Sequence, residues 1–449
     1  MCEARRQRSG RERSDEMVRL NAKGSARRWW CIGVVAALVL MGWGAGARAQ
    51  SVAASDLTGG YVVLPKILVH TTGGDPAVLP GEQAFDTEIQ LSNTNEAAPI
   101  TVDCWWVDAN SHCGSRCNPL ISTCAICETN ADCTPGLPCV PDWSVADFQV
   151  TLTNGQPIGF TAASGLKPVP CDPSFSGTGC QGAAGGFIRG VQEDPFRGEL
   201  KCLQVDANDL PVDRSDLKIE ATIVSTTIPP ATSPATTAAS YNGIGFRTQS
   251  LGTLDPADPL CLGPLPTGNP DTCAATYAPC PGVLILDHFF EGAPTEFGIA
   301  STDLTLVPCS EDLGDPTVQG SFDVVAQMLV YNEFEERFST SAHVECFRET
   351  SLADIDTVAG PTGDQFSIFS VGLEGTLTGQ TRIRGVQGSN GRLGYGLLGV
   401  AIESYSESSG SPAFATTAFN LHESGFRADP TSTIPTGGDA VYRTVFPPP

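Results

Sequence analysis

Apolar runs in this chain are short, rich in β-branched residues and punctuated by glycine and proline, and this constrains the fold more than any other feature. Tyr61-Val-Val-Leu-Pro-Lys-Ile-Leu-Val69, Thr87-Glu-Ile-Gln-Leu91, Leu217-Lys-Ile-Glu-Ala-Thr-Ile-Val224 and Val324-Val-Ala-Gln-Met-Leu-Val330 have strand length and, in part, two-residue alternation. The 48 glycines and 34 prolines supply the breaks between runs, and no long helical period competes. Short strands separated by turn signals predict an all-β chain of antiparallel β-sandwiches.

Three internal echoes predict that there are two tandem sandwich domains, diverged copies of one unit. Ile188-Arg-Gly-Val-Gln192 recurs as Ile383-Arg-Gly-Val-Gln387, an offset of 195 (383 less 188); at that offset Arg197 matches Arg392, Leu203 matches Leu398 and Val205 matches Val400. Tyr241-Asn242 leads to Gly245-Phe246-Arg247 as Phe419-Asn420 leads to Gly425-Phe426-Arg427, at an offset of 180 (425 less 245). Phe85 to Cys104, with Asn93 at a turn and Val102-Asp-Cys104 after it, parallels Val325 to Cys346, with Asn332 and then Val344-Glu-Cys346. The alternative is that Gly, Val and Ile recur by chance in any β protein, but three echoes in one order favour duplication, and a unit this long is not a short solenoid period. The expected boundaries are 56–250 for copy one, 251–282 for an irregular linker holding Cys261, Cys273 and Cys280, 283–435 for copy two and 436–449 for a C-terminal tail. Residues 225–240, rich in Pro, Thr, Ser and Ala, read as a mobile loop.

The N-terminus predicts export. Arg19, Lys23, Arg27 and Arg28 precede an apolar run from Trp29 to about Trp43, and Ala47-Arg-Ala49 fits a small-x-small cleavage site. Residues 1–49 therefore read as a signal peptide and the mature chain as beginning near Gln50. The apolar run is shorter than the ~20 residues of a spanning helix, so no membrane span is expected after processing. Arg27-Arg28-Trp29-Trp30 matches a twin-arginine signal poorly, and Cys31 lies inside the run rather than at its end, which argues against a lipoprotein anchor. The expected location is secreted, periplasmic or cell-surface. The chain carries a net charge of −24; residues 1–49 hold 10 basic and 4 acidic residues, which leaves −30 on the remainder. A surface so acidic, without a basic stripe, excludes nucleic acid and anionic lipid as partners.

Cysteine usage agrees with export. Of 17 cysteines, Cys2 and Cys31 belong to the signal and 15 remain, against five histidines in all, His70, His112, His288, His343 and His422. Disulfides are therefore favoured over zinc. Residues 112–141 form a cysteine-rich insertion in copy one with Cys113, Cys117, Cys124, Cys127, Cys133 and Cys139, too small to bury a core without crosslinks. Within it, Cys127-Glu-Thr-Asn-Ala-Asp-Cys133-Thr-Pro-Gly-Leu-Pro-Cys139 resembles the small C-x5-C-x5-C, EGF-like modules of exported bacterial proteins. That resemblance implies a stapled extracellular loop. The rival is a metal site from Cys124, Cys127 and His112, which needs thiolates that export pathways usually oxidise first. The expected bridges join Cys104 to Cys202, Cys171 to Cys180 and Cys309 to Cys346, with three more among the six insertion cysteines. The Cys104–Cys202 bridge is expected only in copy one, because Leu397 stands at the 195 offset from Cys202. One of Cys261, Cys273 and Cys280 is then free or paired with another chain.

No motif assigns an activity. G-x-S-x-G and H-E-x-x-H are absent, although other hydrolases need neither. Asp287-His288 and His343-x-Glu345 would serve a metal or proton transfer if they met in space, but isolated histidines on strands are ordinarily structural. Gly394-Tyr-Gly396-Leu-Leu-Gly399 matches G-x-G-x-x-G without the strand-turn-helix setting a dinucleotide needs. Asp206, Asn208, Asp209 and Asp213 suggest a calcium loop but lack the Gly and terminal Glu of an EF-hand. They read as an acidic hairpin, with weak surface Ca2+ the one cofactor kept in view. Glu333, Glu335 and Glu336 raise glycosidase chemistry, which requires two carboxylates across a cleft; a solvated turn is the preferred reading. Leu329-Val-Tyr-Asn-Glu-Phe-Glu-Glu-Arg-Phe-Ser-Thr-Ser341 and Gly375-Thr-Leu-Thr-Gly-Gln-Thr-Arg-Ile-Arg-Gly385 are similar to segments of uncharacterised exported β-rich proteins of environmental bacteria. This implies architecture and location and no activity. The sequence thus reads as an exported, non-catalytic structural or binding protein with no catalytic, cofactor or metal residue assigned, its ligand an extracellular protein or glycan. The alternative is an exported hydrolase using a carboxylate or metal site.

Overall fold

The structure, a computed structural model, describes residues 53–71, 83–109, 115–117, 139–141, 144–166, 188–191, 194–227, 235–254, 260–263, 273–295, 298–309, 323–345, 347–355, 358–359, 365–366, 369, 378–387, 396–407 and 413–426. The expected signal segment, His112, Cys113, Cys124, Cys127, Cys133, Cys171, Cys180, Cys346 and the tail lie outside the described residues. The described residues are all-β and include no α-helix, and no helix among them is long and apolar enough to cross a membrane.

The first half contains β1 (Tyr61–Val69), β2 (Gln83–Asn93), β3 (Ile100–Asp108), the short pair β4 (Ser115–Cys117) and β5 (Cys139–Pro141), β6 (Ser144–Leu152), β7 (Pro157–Thr161), β8 (Phe196–Val205), β9 (Leu217–Thr227), β10 (Ala235–Asn242) and β11 (Ile244–Phe246). Three short strands follow, β12 (Thr248–Leu251), β13 (Leu260–Leu262) and β14 (Ala275–Tyr277). The second half contains β15 (Pro281–Phe290), β16 (Ala293–Thr295), β17 (Gly298–Pro308), β18 (Asp323–Asn332), β19 (Arg337–Glu345), β20 (Arg348–Ser351), β21 (Val358–Ala359), β22 (Gln365–Phe366), β23 (Thr378–Gln387), β24 (Leu397–Ser406), β25 (Ala413–Asn420) and β26 (His422–Phe426).

Strand order is the same in the two halves. The sheet β11-β1-β8-β3-β6 has its counterpart in β26-β15-β23-β18-β19, and β10-β9-β2-β7 in β25-β24-β17-β20, with β16 alongside β17. Alternating residues of the first pair of sheets share one core, which includes Leu64, Ile89, Leu91, Trp106, Leu200 and Ile219. The second pair shares another, with Leu286, Leu304, Val324, Val330, Ile383 and Ala401. Each of the Leu, Ile and Val side chains, buried in full, contributes about 1.5–3 kcal/mol.

Two free-standing tandem sandwiches on an irregular linker do not describe the molecule, and the expectation is corrected here. Residues 251–282 contribute β13 and β14 to a three-stranded sheet, β12-β14-β13, whose third strand begins at Thr248. A third core joins Tyr61, Trp105 and Leu203 of the first half, Leu260 and Tyr277 of this sheet, and Val307 and Leu398 of the second half. The physical cause is visible in β1, which is buried along its whole length. A strand apolar on both faces must be covered on both. From residue 51 onward the chain is one compact unit. The five larger sheets lie in a propeller-like ring, although strands within the principal sheets cross over rather than run consecutively.

One of the three echoes falls on equivalent strands. Gly245-Phe246 is in β11 and Gly425-Phe426 in β26, with Phe246 opposite Tyr61 and Phe426 opposite Pro281; Asn242 and Asn420 end the counterparts β10 and β25. The echo at the 195 offset does not. Ile383 to Gln387 closes β23, whereas Ile188 to Val191 precedes its counterpart β8 and packs on the turn at residues 162–166. There Val191 donates to the Ala162 carbonyl at 2.9 Å, and a Cβ on Gly190 would lie 2.4 Å from the Ala163 carbonyl oxygen. Leu203 is in β8 while Leu398 and Val400 are in β24, which is not its counterpart. Val102 to Cys104 is in β3, but Val344 is in β19, the counterpart of β6. The 225–240 segment is mostly sheet: β9 continues to Thr227, which pairs with Ala235 at the start of β10; residues 228–234 lie outside the described residues.

The bridges differ from the expected scheme in copy two and the linker. Cys104 and Cys202 are register partners on β3 and β8, bonded at 2.04 Å with Cα atoms 4.1 Å apart. Cys309, expected to join Cys346, is bonded instead to Cys280, and Cys261 to Cys273, so none of the three linker cysteines is free. Cys280 immediately precedes β15 and Cys309 immediately follows β17, and both belong to the third core. Cys117 and Cys139 are register partners on β4 and β5.

Candidate functional site

A cleft of about 480 Å³ opens where β1, β2, β8, β9 and β10 of the first half meet β17, β20, β24 and β25 of the second. Its floor is set by an irregularity in β1. Leu64 pairs with Leu200 and Ile67 with Gly198, so Pro65 and Lys66 together oppose Glu199 as a bulge. A bulge leaves backbone polar groups without ladder partners, and in a core these must be satisfied otherwise. The Tyr241 hydroxyl does this, accepting from the Lys66 N–H at 3.2 Å and donating to the Lys66 carbonyl. Burial pushes the Tyr241 hydroxyl up, which keeps it protonated for that donation.

The bulge sends the Lys66 side chain across to the second half. Its ammonium, in a residue only 1% exposed, donates to Thr305 Oγ1 at 2.9 Å and to Glu349 Oε1. Thr305 on β17 and Glu349 on β20 are register partners, so one sheet face presents both. The other Glu349 oxygen accepts from Arg197 Nη1 at 3.3 Å. Burial pushes the Glu349 carboxyl up, but the charge and hydrogen bond of Lys66, with the charge of Arg197, outweigh it and hold Glu349 below the usual carboxylate range. Asp303, two residues before Thr305 on the same face, also lines the cleft. Burial pushes Asp303 up; Lys66 opposes this, and Glu349 and Asp354 add to it. The two carboxyls of one cleft are thus driven in opposite directions.

A second buried pair lies on the face of β8 that carries Arg197. Glu199 and Lys201 form an ion pair at 3.6 Å, too long for a hydrogen bond, and among the described residues neither Glu199 oxygen nor Lys201 Nζ has a hydrogen-bond partner. Burial raises Glu199 to about 7, with Lys201 pulling the other way.

Of the residues marked by sequence, His70 lines the cleft, as do Phe85 and Arg197 from the internal echoes; His70 Nδ1 lies 3.3 Å from Asp194 Oδ1. The others are elsewhere. His288, on β15, stacks on Phe419 with ring centroids 5.0 Å apart, and β23 and β18 separate its strand from that of His343. Asp206 accepts from the N–H groups of Asn208 and Leu210 at 2.7 and 3.0 Å, a turn that satisfies itself. Glu333, Glu335 and Glu336 sit in the β18–β19 turn, which the Asn332 side chain organises by accepting from the Phe334 and Glu336 N–H groups. Gly396 immediately precedes β24 and Gly399 lies within it, and both serve packing: a Cβ at Gly396 would lie 2.5 Å from that of Cys280, and one at Gly399 2.7 Å from Leu421. Among the described residues no three His, Cys, Asp or Glu side chains converge as metal ligands would. Sequence reasoning missed Lys66, Asp303 and Glu349. Pro65-Lys66 is the one trace, a charge interrupting an otherwise apolar nine-residue strand; Asp303 and Glu349 carry none.

No protein-family model matches this chain, and no curated protein matches its sequence.

Proposed function

We propose that the protein is an exported, non-catalytic binding protein, a diverged tandem repeat whose ligand seat is the cleft between its halves. The observation that carries this reading is the engagement of Glu349: one oxygen is held by Lys66 and the other by Arg197. A carboxylate committed on both sides is poised to hold two halves in register around a cavity rather than to attack a substrate. The cavity is of the size that small ligands use. The repeat is supported by the shared strand order and by bonds across the halves at matching residues: Asn242 N–H donates to Asn420 Oδ1 at 3.0 Å and Asn420 Nδ2 to the Asn242 carbonyl at 2.6 Å. Export is supported by the basic and apolar N-terminal segment and by three disulfides among the described residues.

Native mass spectrometry of the exported protein tests both parts. The expected chain begins near Gln50 and carries a small-molecule adduct, unaltered on incubation, that Ala413→Trp at the cleft rim removes. An uncleaved N-terminus at Met1 defeats export with cleavage, and an adduct indifferent to Ala413→Trp defeats the seat. A second reading, an exported hydrolase, is favoured by the opposite shifts of Asp303 and Glu349, the pattern of an acid and its partner base. Turnover of a bound ester or glycoside that Asp303→Asn abolishes would put this reading in place of the first.

A further inference from the structure

We infer that the cleft takes an amphipathic monocarboxylate, an aliphatic or aryl body with a single anionic head; this rests on the cleft being the ligand seat. The body is recognised by Leu68 of β1, Phe85 of β2, Ile223 of β9 and Ile402 of β24, which give the cleft an apolar lining drawn from three sheets. The head is recognised by Arg197. Its side chain is 57% exposed and, among the described residues, makes a single hydrogen bond, the 3.3 Å contact with Glu349. A guanidinium fork is built for a bidentate carboxylate, and this one is mostly unused. Lys66 is what leaves it so: by taking Glu349 Oε1 at the floor, it keeps that carboxylate from turning fully onto Arg197.

Lys66 and Arg197 both face Glu349, and Lys66 is spent on it at the floor. The exposed Arg197 guanidinium thus sits beside apolar walls in a chain whose net charge is −24. A cationic ligand would meet the Arg197 guanidinium, and a neutral one would leave it unanswered. A carboxylate with an apolar body satisfies both parts of the cleft at once.

Titration calorimetry on the full exported chain at neutral pH, with octanoate and its uncharged analogue octanamide as probes, tests this. Octanoate should bind at least about tenfold more tightly than octanamide, the scale of one charge-assisted hydrogen-bonded contact. Arg197→Gln should weaken octanoate by about the same factor and octanamide by less than about twofold, and Ala413→Trp should remove both. Thr237→Trp, on β10 of the first half, serves in its place should that variant not fold. Equal affinity for the two probes, an Arg197→Gln protein that still prefers octanoate, or no binding of either probe overturns the carboxylate inference. Equal affinities that Ala413→Trp abolishes leave the cleft standing as a seat for another class of ligand. Octanoate binding undiminished by both tryptophan variants overturns the seat itself.

Discussion

The first strand of each half carries a bulge, and the halves complete it in different ways. In β1 the bulge is Pro65-Lys66, between Leu64 and Ile67; in β15 it is Asp287-His288, between Leu286 and Phe289. The residue that meets it comes from the same place in both halves, one position before the asparagine that ends β10 or β25. In the first half this is Tyr241, whose hydroxyl satisfies the bulged backbone inside the core. In the second it is Phe419, which has no hydroxyl and stacks its ring on the exposed His288. A buried bulge completed internally frees its side chain to leave the sheet, and Lys66 crosses to the other half. A bulge left at the surface keeps its side chain at home. One hydroxyl thus separates a half that reaches across from a half that is reached, and the cleft exists on that side.

Crosslinking follows the same asymmetry. Matching β11 with β26 through Gly245 and Gly425 carries Cys104 and Cys202 onto Ala326 and Gly385, which are register partners on β18 and β23 as the cysteines are on β3 and β8. Grafting that pair, Cys104→Ala with Cys202→Gly, gives the largest effect we expect. A bridge spanning 98 residues stabilises by about 4–5 kcal/mol in the chain-entropy account, so the urea midpoint should fall steeply. A loss below about 1 kcal/mol would mean that small residues close this sheet equally well in both halves.

Lys66→Met comes next, at about 3 kcal/mol, because it leaves Glu349 largely buried with Arg197 as its remaining cation. The pH dependence sharpens this. Glu349 is held below its ordinary value of 4.5 when folded, so its contribution is fully present above that value and is lost as pH falls through the lowered one. The gap in stability between wild type and Lys66→Met should therefore narrow as pH falls through the lowered value, and level off only above the value Glu349 takes in the variant, where burial is opposed by Arg197 alone. A gap independent of pH down to about 2 would show that Lys66 acts through packing alone.

The all-β class and the Cys104–Cys202 pair were legible because they depend on local pattern and on two conspicuous cysteines. The ring of sheets was not. Tyr61 and Val63 read as strand residues, but nothing local says that a third sheet covers their outward face. The Ile-Arg-Gly-Val-Gln echo misled because a pentapeptide of common β residues can serve a strand in one half and a turn in the other. The cleft was hidden for a related reason. Thr305 and Glu349 become partners only through β17–β20 pairing, 44 residues apart (349 less 305), and Lys66 meets them only because Tyr241 holds the bulge. No spacing rule connects four residues from four strands of both halves.

The smallest effects, and the most direct test of the comparison, come from exchanging the two aromatic residues. Tyr241→Phe gives the first half the second half's residue. The Lys66 N–H and carbonyl then lose their partner in a region where Tyr241 is 4% exposed, and unsatisfied buried groups cost about 1–3 kcal/mol. Phe419→Tyr makes the reverse change. His288 and Asp287 are exposed, and an added hydroxyl at such a surface site should alter stability by less than about 0.5 kcal/mol. Urea midpoints at neutral pH distinguish the two outcomes, and octanoate affinity adds a second readout. Tyr241→Phe should weaken octanoate because Lys66 is no longer held against Glu349, whereas Phe419→Tyr should not. Equal losses of stability in the two variants would mean that Tyr241 contributes ring packing and no more, and the hydroxyl would cease to explain why only one half reaches across.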